Sequence, residues 1–304
     1  MHLNVGSKMV LPIVALVVAV PALFALRLAW GSFSGADNRI CYINAKGEPL
    51  VPAYKYSSFD AGYAPKIRVD GKIYTTPSAK QKGLAAELSG HTFGTRNGDL
   101  FQMWRYSAEK LADNRILVCG VAITQEQREE IVDSSWLFDP VKKDLVDGPK
   151  LHHKCCAPSL TTLKDHRILV SGGYTTSMSN PVNYLEIYDP KTNTFTDLGE
   201  MIKARAEHSC IQIDDDHVLL VGGESTPEQH SNRDNLTGTT ELLNLKTGKC
   251  ALAGTISPRT RAILLNDGPN KVLIIGGWYK TVIMGDSRWV FGAETFEPKR
   301  EAYL

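Results

Sequence analysis

The chain carries no excess of charge of either sign: 34 Lys and Arg stand against 33 Asp and Glu in 304 residues. The long-range attraction that gathers proteins onto nucleic acid is therefore missing, and nucleic acid is not expected as a partner. The six cysteines, at 41, 119, 155, 156, 210 and 250, form no C-x-x-C pair and no Cys/His zinc spacing, which argues against metal held through sulfur. No G-x-G-x-x-G follows a strand-like run and no helical pattern opens after one, so a dinucleotide-binding fold is a poor reading. His152-His153, His208 and His230 fall in separate stretches without a ligand pattern. No metal, cofactor or catalytic constellation is expected from these residues.

What the chain does have is a long apolar start. Residues 9–26, MVLPIVALVVAVPALFAL, hold no charge and would reach roughly 27 Å as a helix. Arg27 to Trp30 extend the segment, with Arg27 able to snorkel and Trp30 suited to the headgroup level. The reading is a flank at 1–8, a transmembrane signal anchor or uncleaved signal segment at 9–30, and a linker with degenerate β character at 31–99. Ser34-Gly35-Ala36 is an A-x-A-like site, so cleavage near Ala36 to a secreted or periplasmic form is the alternative. Lys8 before the segment and Arg27, Arg39 and Lys46 after it leave the positive-inside count ambiguous. Long domains translocate largely regardless of charge, and the large domain is placed outside the cytoplasm.

From residue 100 onward a unit of about 50 residues recurs four times, a period that marks stacked supersecondary modules. Each copy has a β-rich run closing on glycine: Ile116 to Gly120, Ile168 to Gly173, Val218 to Gly223 and Val272 to Gly277. Upstream lies a hairpin turn, as in Asp113-Asn114-Arg115 and Asp165-His166-Arg167. Downstream, apolar residues recur seven positions apart, at Phe138 and Leu145, Tyr188 and Phe195, Leu243 and Cys250, Phe296 and Tyr303. Asp189-Pro190 and Thr192-Asn193 are turn formers between two of these positions. Each copy is thus four antiparallel strands, at about 100–149, 150–200, 201–252 and 253–304.

One four-stranded sheet cannot bury both faces, so the copies should pack face to face around an axis as propeller blades. Gly120, Gly172, Gly173, Gly222, Gly223, Gly276 and Gly277 then lie at the crowded inner edge, where side chains are excluded. Cys119, Cys210 and Cys250 replace apolar residues at repeat positions and are expected as buried small hydrophobes. Cys155 and Cys156 are neighbours, too close for ordinary disulfide geometry, while Cys41 could pair with one of the others after export.

The runs ILVSGG at 168–173 with YDPKTNTF at 188–195, and VLLVGG at 218–223 with ELLNLKTGKC at 241–250, resemble the kelch repeats over roughly residues 100–304. That family includes the central domain of galactose oxidase and a bacterial sialic acid epimerase. The resemblance implies an all-β, kelch-type β-propeller of four-stranded blades. Its usual six or seven blades exceed the four seen, so an incomplete ring is favoured over residues 38–99 completing it.

The same resemblance implies arginines directed toward the channel mouth, at the positions of Arg205, Arg259 and Arg261, with His208 close by in sequence. There they would suit a carboxylate ligand. Trp278 and Tyr279, with Trp289, make the last loop apolar enough for sugar stacking or protein contact. The expected function is a membrane-anchored module binding protein or carbohydrate at the rim. A carbohydrate-active enzyme, epimerase or oxidase-like, is the alternative, although no tyrosine, histidine and cross-linked cysteine set for copper can be placed. The sequon Asn235-Leu236-Thr237 carries little weight.

Overall fold

The computed structural model describes residues 100–125, 128–176, 179–225, 236–280, 287–289 and 293–299, with short pieces at 40–42, 66–69, 72–75, 84, 93–94 and 302. The apolar segment 9–30 and its expected helix lie outside them, as does most of 31–99. Among the described residues no helix is long and apolar enough to cross a membrane. The chain divides into two units, Met1–Ile40 and Cys41–Leu304. Within the second, Lys66–Val69 pairs antiparallel with Lys72–Thr75, and the two residues between them are Asp70-Gly71, a common hairpin dipeptide.

Four antiparallel sheets follow, one per copy. The first is built on Leu100–Lys110, Ile116–Gln125, Trp136–Asp139 and Asp144–Asp147, with Phe93–Gly94 and Arg128–Val132 added to it. The second is Ser159–Thr162, Ile168–Ser171, Tyr184–Asp189 and Thr194–Glu200 in sequence order. Ser209–Gln212, His217–Val221, Thr239–Asn244 and Cys250–Thr255 repeat that order in the third.

The fourth copy departs from expectation. Among the described residues its sheet has three strands, Ile263–Asn266, Val272–Ile275 and Ala293–Phe296, and no fourth. Pro298 has no N–H for a ladder. The Lys299 N–H donates to Ala253 O of the third sheet, and Ala302 is buried in the core between the third and fourth sheets. Tyr303 lies outside the described residues.

Local chemistry explains the hairpins. In the second sheet, Asp165 accepts the Arg167 backbone N–H at 3.1 Å and the Arg167 Nε–H at 2.7 Å, while His166 adopts φ 70°. Asp113, Asn114 and Arg115 repeat this, with distances of 3.0 and 2.8 Å and φ 71° at Asn114. The seven-residue spacings are direct cross-strand partners: Phe138 opposes Leu145, Tyr188 opposes Phe195 and Leu243 opposes Cys250.

Because side chains alternate across a strand, every second strand feeds two cores. Leu117 and Cys119 pack with Ile168, Val170 and Tyr188 between the first and second sheets. Leu169 and Ile187 meet Val218, Leu220 and Leu243 between the second and third. Leu219, Val221 and Leu242 meet Val272 and Ile274 between the third and fourth. Each fully buried Leu or Ile contributes about 1.5–3 kcal/mol. The sheets therefore stack face to face, as propeller blades do. Cys119, Cys155, Cys156, Cys210 and Cys250 are free thiols.

Candidate binding site at the glycine edge

In the second and third copies the second strand ends where the next copy's chain crosses it. Gly172 has φ +59°, and a Cβ there would collide with Arg205 O of the following copy. Gly173 has φ +102°, with a Cβ position 2.6 Å from Cys156 O. The Gly173 N–H donates to Arg205 O at 3.1 Å, and one copy on the Gly223 N–H donates to Arg259 O at 2.9 Å. In the first copy Val121 follows the single Gly120, and the strand runs on to Gln125.

Arg205 and Arg259 stand at equivalent places above these crossings. Arg205 is fully buried: Nη1 donates to Gly222 O at 2.8 Å and Thr239 O at 3.0 Å, and Nη2 to Glu241 Oε1 at 2.5 Å. Glu241 also accepts the Ile202 and Lys203 N–H groups at 2.7 and 3.0 Å. Arg259 donates through Nη1 to Gly276 O at 3.0 Å and through Nη2 to Glu294 at 2.5 Å. Burial draws its guanidinium pKa down, with Glu294 opposing the shift. These two guanidinium groups bind the chain's own carbonyls and carboxylates.

In the second copy Glu186 takes the His152 and His153 N–H groups at 3.0 and 2.9 Å, but Cys155 fills the arginine place. Burial pushes the Glu186 carboxyl up, the two N–H groups pulling the other way.

Two residues beyond the arginine place, successive copies put Ala157, Glu207 and Arg261 in the left-handed region at φ 49°, 53° and 54°. Non-glycine residues are held there at a cost and cluster at functional sites. Arg261 Nη2 pairs with Glu207 Oε1, and the Arg261 N–H donates to Glu207 O at 2.9 Å. The Arg261 side chain is 39% exposed and that of Glu207 19%, so this pair reaches solvent while Arg205–Glu241 does not.

In the second and third copies the residue after the doublet joins them. Tyr174 and Glu224 occupy this place in the second and third copies, and the Tyr174 hydroxyl donates to Glu224 Oε2 at 2.9 Å. Burial pushes the Tyr174 phenol up, and the charges of Glu207 and Glu224 push it further against Arg261. Trp278 holds the same place in the fourth copy and opens the strand Trp278–Lys280, which pairs with Ser287–Trp289. Tyr279 opposes Arg288 in that hairpin.

His208 lies beneath the cluster and is 4% exposed. Its Nε2 is 2.9 Å from Ser171 Oγ, its Nδ1 has no partner, and burial holds the imidazole pKa well below 6.5 with Arg205 adding to the shift. It is a neutral packing group.

Of the residues marked from sequence, the structure brings Arg261 to a solvent-reaching cluster and places Arg205, His208 and Arg259 in the supporting layer. Sequence reasoning missed Tyr174, Glu207 and Glu224. The missing signal was the frame: aligned on the doublets, Ala262 matches His208 and Arg261 matches Glu207. The opposition of Ile263 to Ile275 and of Ser209 to Val221 fixes this frame.

The kelch motif matches residues 155–202, from the arginine place of the second copy through its whole sheet. No curated protein matches the chain. Among solved structures, one titled "Structure of YjhT" is similar at 12% identity and a TM-score of 0.46, over 60% of this chain and 63% of that one.

Proposed function

We propose that this kelch-repeat chain is a binding module whose ligand, a protein or a carbohydrate, sits at the glycine edge on Glu207, Glu224 and Arg261, with Tyr174 buried beneath them and holding Glu224. In this reading the sheets are blades of an incomplete propeller ring, and residues 9–30 anchor them to a membrane on its extracytoplasmic side. The observation that carries it is the solvent-reaching Glu207–Arg261 pair, set on strained backbone beside the Tyr174–Glu224 contact. Carboxylates accept from hydroxyl or amide groups, a guanidinium donates in a planar fork, and loops at one edge of a rigid scaffold commonly carry recognition.

Binding is favoured over turnover because the groups in reach suit hydrogen bonding. The buried Tyr174 phenol, its pKa raised away from neutral pH, donates to Glu224 and takes no part in proton transfer, and His208 is sealed and neutral. The test is a glycan screen and a pull-down with the full chain against Glu207→Gln and Arg261→Ala. Loss of the captured ligand with the near-ultraviolet spectrum intact supports the site. Unchanged affinity in both variants removes it, and peroxide or product formed from a sugar panel with metals would replace binding by catalysis.

A further inference from the structure

Among the described residues each of the first three sheets ends on its fourth strand, which pairs on one side only. Strand edges of this kind invite pairing with another chain unless charge guards them. Asp144–Asp147 carries an acid at both ends, and Thr194–Glu200 carries Asp197 and Glu200. The third such strand, Cys250–Thr255, reads Cys-Ala-Leu-Ala-Gly-Thr and has no charge at all.

The same strand presents an open apolar side chain. Leu252 is 53% exposed and stands directly opposite Glu241, so the two share one side of the sheet. Ile202, 52% exposed, is held on that side because its N–H donates to the Glu241 carboxylate at 2.7 Å. Two exposed aliphatic side chains thus flank one sealed carboxylate. One copy earlier the corresponding place is polar: Asp197 stands opposite Glu186, with His153 Nε2 3.5 Å from its carboxylate. The uncharged edge also accepts a backbone donor from outside its sheet, the Lys299 N–H on Ala253 O at 3.1 Å.

We infer that Cys250–Thr255 is a self-association edge, on which the same strand of a second copy of this chain pairs antiparallel. A two-fold pairing sets an edge against itself, so any charge on it meets its own kind. That penalty falls on Asp144–Asp147 and Thr194–Glu200 and spares Cys250–Thr255. The second copy takes the Cys250 end, since Ala253 O is already engaged, and Leu252 comes beside its counterpart with Ile202 of each protomer on the same side. So short a strand contact lies at the small end of specific interfaces, below about 1,200 Å² of buried surface, and the dimer forms only as concentration rises. The inference does not rest on the Glu207–Arg261 cluster.

Sedimentation equilibrium of the full chain in detergent, over rising protein concentration, reads the association, and hydrogen exchange reads its place. Amides 250–252 should gain protection as concentration rises, and amides 144–147 should not. Leu252→Lys should weaken the dimer about ten-fold or more, whereas Val146→Lys, on the first sheet's edge and 47% exposed, should leave it unchanged. Glu207→Gln and Arg261→Ala should associate as the natural chain does. A chain that stays monomeric, or amides 250–252 that do not respond, overturns the inference. So does association that ignores Leu252→Lys, which would assign it to another surface such as segment 9–30, or equal weakening by Val146→Lys. Capture of a different protein on this edge by a chain that itself stays monomeric has the same consequence. Should Leu252→Lys lose its near-ultraviolet spectrum, the exchange pattern of the unsubstituted chain decides alone.

Discussion

Cys155 stands in the second copy where Arg205 stands in the third: both lie two residues before the left-handed position, and each adjoins a buried third-strand glutamate, Glu186 or Glu241. The glutamate at Arg205 is neutralised by a guanidinium, whereas the one at Cys155 faces a thiol whose own pKa is raised by burial and then by Glu186.

Cys155→Arg is expected to restore the pair and raise stability by about 1.5 kcal/mol at neutral pH, the scale of a hydrogen bond to a charged group. Urea denaturation of the two chains measures it. A loss of stability would show that the space around Cys155 does not admit the longer side chain.

The same carboxylate gives a pH signature. The folded pKa of Glu186 is raised above the usual 4.5, so its contribution is fully present below 4.5 and is lost as pH rises through the folded value. Glu186→Gln should therefore be more stable than the natural chain at neutral pH, with the difference shrinking on acidification. Thermal melts across that window check the sign.

His208 acts in the opposite direction. Its folded pKa lies well below 6.5, so the stability it supports is present above 6.5 and falls as the pH drops toward the folded value. His208→Gln should flatten the acid limb of the stability profile below about pH 6.5. An unchanged slope would mean that His208 takes up its proton equally in the folded and unfolded states.

Breaking the buried pair should be costly. Arg205→Ala leaves Glu241 charged and sealed, at a cost of about 3–5 kcal/mol, and removing both partners as Arg205→Met with Glu241→Leu should recover most of it. Chemical denaturation of the single and double variants reads the difference. A double variant as unstable as the single would show that the Ile202 and Lys203 N–H groups, which Glu241 accepts, matter more than the charge.

The glycine edge allows a paired comparison. Gly172→Ala puts a methyl into Arg205 O on left-handed backbone and should cost about 3 kcal/mol or more. At Gly268, φ +110° with nothing within 4 Å of a Cβ, the same change should cost about 1 kcal/mol. Equal losses would mean backbone conformation alone sets the requirement at Gly172.

Much of the fold was legible because a sheet writes its register into spacing. The interval from Tyr188 to Phe195 is a hairpin with opposed partners, and Asp165 before Arg167 is a turn that closes itself. The binding cluster was less legible because its members come from different copies. Glu207 meets Arg261 across 54 positions of sequence, and Tyr174 meets Glu224 across 50, distances at which only the stacking of copies creates a contact. The arginines were visible, but sequence did not distinguish Arg205, whose carboxylate partner is Glu241 of its own sheet, from Arg261, whose partner belongs to the copy before. The tail after Phe296 repeats the hairpin spacing yet goes to Ala253, since a spacing names a possible turn and does not name the strand that accepts it.

The N–H of Gly173 ends on the carbonyl of Arg205, and that of Gly223 on the carbonyl of Arg259. The second and third copies thus each borrow a backbone partner from their successor. Cutting the array after the second or the third copy would strand a donor in the one left behind, so melting should spread from a severed end inward, and internal deletions should be tolerated only in whole periods.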